Sequence, residues 1–94
     1  MRLRGKVDGN HGTIVEALRK SGCSVESTAG IGHGFPDLVV YAPRLDEHLL
    51  IEVKMGNARL TEDEALWHAT WKGRVHIVRT VEQALRACGL EVEP

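Results

Sequence analysis

Apolar residues recur along the chain with two periods, and the switches between them outline its elements. From Asn10 to Ser21 the spacing is helical. Ile14, Val15 and Leu18 fall on one face, Ala17 extends it, and Gly22 stands where a helix stop belongs. Cys23 to Ala29 then alternates as a short strand. Gly30, Gly32, Gly34 and Pro36 make the next segment a loop. Two β-prone runs follow, Asp37–Tyr41 and Leu49–Lys54, joined by a hairpin-like connection that holds Pro43 and several charges. Thr61-Glu62-Asp63-Glu64 is a capping box, opening a helix that carries Leu66, Trp67, Ala69 and Trp71 and is expected to end at Gly73. Val75–Val78 alternates again. Thr80 to Gln83 opens a last helix in the same capping style, stopped at Gly89.

The predicted order is α-β-β-β-α-β-α. Three strands in hairpin succession, then a crossover helix and a fourth strand, give a mixed central sheet with helices on its faces, an α/β domain. The 94 residues suit one compact domain, 1–94, with a modest core that a partner subunit would reinforce. Hydrophobic residues at 43% and charged residues at 27% exclude a disordered chain. No apolar run approaches a membrane span, and the basic start Met1-Arg2-Leu3-Arg4 leads into no apolar segment, so the expected location is cytoplasmic.

The formal net charge is -1, so bulk electrostatics do not advertise a nucleic-acid partner. Arg2, Arg4 and Lys6 at one end, and Lys72, Arg74 and Arg79 later, supply what positive surface there is. Cys23 and Cys88 lack CxxC spacing and read as small buried residues. The five histidines form no HxxxH or HxH pair, which argues against a zinc site.

The chemistry lies in Pro36-Asp37, followed fifteen residues later by Glu52-Val53-Lys54. Side chains alternate along a strand, so Glu52 and Lys54 point the same way, roughly 7 Å apart, while Ile51 and Val53 face a core. Hairpin pairing would set Asp37 beside Glu52. Two converging carboxylates repel unless a proton or a cation lies between them, and Mg²⁺ binds through one or two carboxylates with several waters kept. Such a cation activates water and draws off phosphate charge, and Lys54 beside it would orient that water and stabilise the transition state of phosphodiester hydrolysis. The bland alternative is a solvated face of an edge strand, with Asp37 a loop residue. The turn before Asp37 and the two flanking β-runs favour the site.

At these residues the chain resembles the PD-(D/E)XK nucleases, and more narrowly the virus-type replication-repair nuclease (VRR-NUC) family in its short stand-alone form. The resemblance runs through the helix ending at Gly22, Gly34-Phe35-Pro36-Asp37-Leu38, Leu50-Ile51-Glu52-Val53-Lys54 with Gly56, Leu60-Thr61, Trp67-His68, Val78-Arg79-Thr80 and Glu82-Gln83-Ala84-Leu85. It implies a restriction-endonuclease-like fold and dependence on Mg²⁺ or Mn²⁺. It implies that Asp37 and Glu52, with the main-chain carbonyl of Val53, bind the metal, and that Lys54 is catalytic. It also implies cutting of branched DNA such as four-way junctions by a homodimer. Relatives often carry Glu on the first helix where Asn10 stands; Asn10 brings no charge, and Glu16, nearly two turns on, is a possible substitute. Many relatives have Gln where Glu64 stands, and Glu64 reads first as a capping residue.

His33, just before Asp37, is an accessory candidate for phosphate, with a spacer role beside it. Trp67 and Trp71, four apart on one helical face, read as core or interface anchors rather than base-stacking platforms. Gly30, Gly32 and Gly34 precede no helix, so they do not grip a phosphate; they turn the chain or let it approach DNA. Two functions stand against each other: a Mg²⁺-dependent endodeoxyribonuclease, and a DNA-binding or assembly domain that kept the fold and lost efficient cleavage, for which Asn10 is the motive. RNA as the substrate is a third possibility that residues alone leave open.

Overall fold

The computed structural model describes residues 9–93, with side chains from residue 11 onward. Its elements run α1 (Gly9–Lys20), β1 (Ser24–Ser27), β2 (Leu38–Ala42), β3 (Glu47–Val53), α2 (Glu62–Thr70), β4 (Val75–Val78) and α3 (Val81–Ala87), the order the periodicity predicts. The four strands lie side by side as β1-β2-β3-β4. The first three are antiparallel and β4 runs parallel to β3, so the sheet is mixed.

Register decides which side chains share a face. Val25, Val40 and Leu49 stand opposite one another across β1, β2 and β3, as do Leu38 and Ile51 across β2 and β3. Val25, Leu38, Val40, Ala42, Leu49, Ile51, Val53 and Val78 are all buried. They form the face under α1 and α3, which pack against each other through Ile14, Leu18, Ala84 and Cys88. Each fully buried Ile or Leu there contributes about 1.5–3 kcal/mol relative to exposure. Cys23 and Cys88 belong to this core as free thiols, and burial first, then the neighbouring Cys23, pushes Cys88 up to about 12. On the opposite face Val39, Leu50 and Val75 are only half-buried, and Ile77 is 42% exposed.

The helix stops differ in one place. Gly22 (φ 96°) and Gly89 (φ 77°) end α1 and α3 in the left-handed conformation, as expected. α2, however, stops at Thr70 and not at Gly73. The Thr70 hydroxyl donates back to the Leu66 and Trp67 carbonyls. Trp71 then turns to extended backbone and stacks on Trp67, with ring centroids 4.6 Å apart. The Thr61–Glu64 capping box is complete. At α3 only half of one forms: Thr80 accepts from the Gln83 N–H, while the Gln83 side chain takes the Arg79 N–H instead.

α2 buries none of its residues fully, and the loop before Asp37 helps to seat it. A Cβ on Gly34 (φ 83°) would come within 2.3 Å of the Asp63 carbonyl oxygen, whereas one on Gly30 would meet nothing within 4 Å. Gly34→Ala should therefore destabilise the fold by at least about 1–2 kcal/mol, the cost of left-handed backbone alone, and shift α2 as well. Gly30→Ala should be near neutral. Urea unfolding with near-ultraviolet circular dichroism of Trp67 and Trp71 checks this, and equal midpoints for the two variants would contradict it.

Candidate active site

Extending the β2–β3 register by one residue sets Asp37 opposite Glu52, on the face away from α1 and α3. The main chain around Asp37 is held by Thr28, whose N–H donates to the Asp37 carbonyl (2.7 Å) and whose hydroxyl donates to that of Pro36 (2.7 Å). The Asp37 carboxylate accepts the Val53 N–H at Oδ2 (2.8 Å). Strand pairing thus fixes the backbone and Val53 aims the acid.

Glu52 is the buried polar residue of the sheet, 1% exposed. Its Oε2 lies 3.6 Å from Lys54 Nζ, and its Oε1 is buried with no hydrogen-bond partner. Burial pushes Glu52 up to about 8, aided by the negative charges of Asp37 and Glu64 and opposed by Lys54. Burial alone would lower Lys54, but hydrogen bonding and charge from Glu64, with Glu52 and Asp37 behind, outweigh it and hold the ammonium above its ordinary range. Lys54 also closes the sheet, donating its N–H to the Val78 carbonyl (2.9 Å). Arg79 pins the loop beyond, donating to the carbonyls of Gly56 and Ala58 (2.8 Å each). That contact gives Arg79 a structural task besides the positive surface expected of it.

The structure therefore brings Asp37, Glu52 and Lys54 together, with Val53 between them. It adds Glu64, which sequence reasoning assigned to helix capping. Glu64 does cap, its Oε1 accepting the Thr61 N–H (2.9 Å), but the same oxygen lies 2.7 Å from Lys54 Nζ. Desolvation acts to raise Glu64, and Lys54 and the Thr61 N–H overcome it, so it is held below the usual carboxylate range. The departure from Gln at this position was the signal available in the sequence.

Of the accessory candidates, Glu16 and His33 fall elsewhere. Glu16 pairs with Lys20 (3.8 Å) on an exposed flank of α1 and is not among the groups acting on Glu52. Six residues on from Asn10, about 1.7 turns, Glu16 is exposed. Asn10 lies in the first turn of α1, but its side chain is outside the described residues, as are Arg2, Arg4 and Lys6. His33 is exposed, in left-handed backbone (φ 57°), and lines a cavity of about 340 Å³ with Asp63, Leu66, Trp67 and Thr70. That sets it beside α2.

Among the described residues no group of three or more His, Cys, Asp or Glu side chains is arranged to hold a metal ion by itself. The pair Asp37 and Glu52 suits a cation that takes one or two carboxylates and keeps its waters, and the orphaned Glu52 Oε1 is the kind of oxygen such a cation would satisfy. The residues fit a hard divalent ion.

A mixed α/β sheet that sets two acids and a lysine at the ends of adjacent central strands defines a domain of restriction-endonuclease-like type. The chain belongs to the VRR-NUC family: the family model described as the VRR-NUC domain matches residues 7–82. The domain is a nuclease domain, with DNA as the substrate that implies. No curated protein and no solved structure gives a match. Among the described residues, no helix is long and apolar enough to cross a membrane.

The buried acid carries a pH signature. Glu52 loses its proton near 4.5 in the unfolded chain and near 8 in the folded one. Between those values the folded state holds the extra proton, so stability falls as pH rises and levels off above about 8. The slope from this one group approaches about 1.4 kcal/mol per pH unit. Urea unfolding in chelator from pH 5 to 9 should show that loss in wild type and a flatter profile in Glu52→Gln. Parallel profiles would contradict the assignment.

Proposed function

We propose that the chain is a divalent-metal-dependent endodeoxyribonuclease, with Asp37, Glu52 and the main-chain carbonyl of Val53 as ligands for Mg²⁺ or Mn²⁺ and Lys54 as the catalytic amine. The observation that carries this reading is Glu52: a carboxylate 1% exposed, with one oxygen unpartnered, facing further acids. A bound divalent ion would supply Lewis-acid charge to the phosphoryl group. Asp37 is oriented for its share by the Val53 N–H. Lys54, held as an ammonium by Glu64 and Glu52, is suited to donate hydrogen bonds to charge developing on the phosphate oxygens rather than to take a proton. Glu52 and Lys54 sit on the sheet face away from α1 and α3, where Lys54 is the more exposed of the two, at 12% against 1%.

The proposal extends to a homodimer acting on branched DNA of the four-way-junction kind. Trp71 is 46% exposed on its stack with Trp67, and Ile77 is 42% exposed on the open sheet face. Large apolar side chains in such positions suit a second copy of the chain. One site makes one nick, and two symmetric sites match the symmetry of a junction. The second reading, a DNA-binding or assembly domain with weak or no cleavage, keeps its motive in Asn10.

Matched junction, flap, single-stranded and linear DNA substrates, each with Mg²⁺, Mn²⁺ and chelator, separate the two. The nuclease reading predicts cleavage that chelator abolishes, strongest on the junction, and lowered about 10²–10⁴-fold in Lys54→Ala. Binding without cleavage would favour the second reading. A Lys54→Ala protein cutting as fast as wild type would point to a contaminating nuclease.

A further inference from the structure

α2 meets the rest of the molecule at few points, and one of them is the site. Glu64 Oε1 approaches Lys54 Nζ to 2.7 Å, closer than Glu52 Oε2 at 3.6 Å. The contact is shielded: the Lys54 and Glu64 side chains are 12% and 18% exposed, against 76% and 68% for the surface pair Lys20–Glu16. Glu64 is also fixed from behind, because the oxygen that meets Lys54 accepts the Thr61 N–H as well (2.9 Å). The lysine stem carries a compact charge on several rotatable bonds, and one carboxylate at 3.6 Å would leave that charge free to swing.

From these contacts we propose that Glu64 is a positioning residue for the nuclease reaction, clamping the Lys54 ammonium beside Glu52 and tying its location to the start of α2. The inference rests on the nuclease reading above. Glu52 and Glu64 each hold the amine at a set distance, 3.6 and 2.7 Å, two constraints where a single partner would impose one. Displacement of a reacting group by about 1 Å can cost about 100-fold in rate, so a clamp of this kind acts on turnover more than on DNA affinity. A merely structural Glu64 would be a helix cap and nothing more. Thr61 separates the two roles: its hydroxyl forms the other half of the capping box, accepting the Glu64 N–H (3.2 Å), whereas Lys54 is met by the Glu64 carboxylate.

The test compares Glu64→Ala, Glu64→Gln and Thr61→Ala in Mg²⁺-dependent cleavage of junction DNA. Glu64→Ala should lower kcat about 10–100-fold with KM little changed. Glu64→Gln keeps an amide oxygen for Lys54 and for the Thr61 N–H and should stay within about threefold of wild type. Thr61→Ala should unfold at a lower urea concentration with the loss of the cap, yet also keep kcat within about threefold. A second readout needs no cleavage. In protein labelled with ¹³C at lysine Cε, where only Lys6, Lys20, Lys54 and Lys72 give signals, the Lys54 resonance should move in Glu64→Ala and stay in place in Thr61→Ala. Equal losses of kcat in Glu64→Ala and Thr61→Ala, or an unmoved Lys54 resonance in Glu64→Ala, would overturn the proposal. A wild-type chain that cuts nothing while the resonance still moves would keep the clamp and remove the reaction assigned to it.

Discussion

Burying a carboxylate among other carboxylates is costly, and Glu52 sits under that constraint. Its strand, β3, lies in the middle of the sheet, paired to β2 on one side and to β4 on the other, and Glu52 itself pairs with Ile77, so it cannot retreat to water. Its neighbours are two further acids and one amine. At neutral pH the metal-free molecule resolves the conflict by keeping a proton on Glu52, while Lys54 neutralises Glu64. A divalent cation at the same place would do the proton's work with more charge. The strain that makes the metal-free site awkward is therefore what would make it receptive, a pattern common where titratable groups cluster for function.

The remainder of the fold can be understood as support for that point. α1 and α3 fill one face of the sheet with Ile14, Leu18, Ala84 and Cys88, and the acids and Lys54 lie on the other. Thr28 holds the chain at Pro36 and Asp37, and Arg79 holds the loop beyond Lys54. α2 has no buried residue of its own; the approach of Gly34 to Asp63, the edge-on contact of Phe35 with Trp67 (5.2 Å between ring centroids) and the Glu64–Lys54 pair seat it. Its aromatic side leaves Trp71 half exposed.

The parts of this arrangement governed by local rules were legible in the sequence. Strand alternation put Glu52 and Lys54 on one face and Ile51 and Val53 on the other, and hairpin succession put Asp37 beside Glu52. Gly22 and Gly89 stopped their helices because a left-handed residue was required there. Where a distant contact outcompeted the local signal, the reading fell short. α2 ended before Gly73, where Trp71 leaves the helix in extended backbone and stacks on Trp67. Glu64 was explained locally by the capping box, and nothing in its immediate sequence revealed that the loop at Gly34 would bring that helix turn against Lys54. Glu16 was a possible substitute for the first-helix acid, though helical spacing did not require it to face the same way as Asn10; it is exposed and pairs with Lys20.

We propose that a divalent cation takes the place of the proton on Glu52. Isothermal titration of the protein with Mn²⁺ at pH 7, repeated in buffers of different ionisation enthalpy, counts the protons released as metal binds. The account predicts roughly one proton per ion at pH 7, declining towards zero by pH 9. Absence of Mn²⁺ binding, or binding that releases no proton at pH 7, would contradict it.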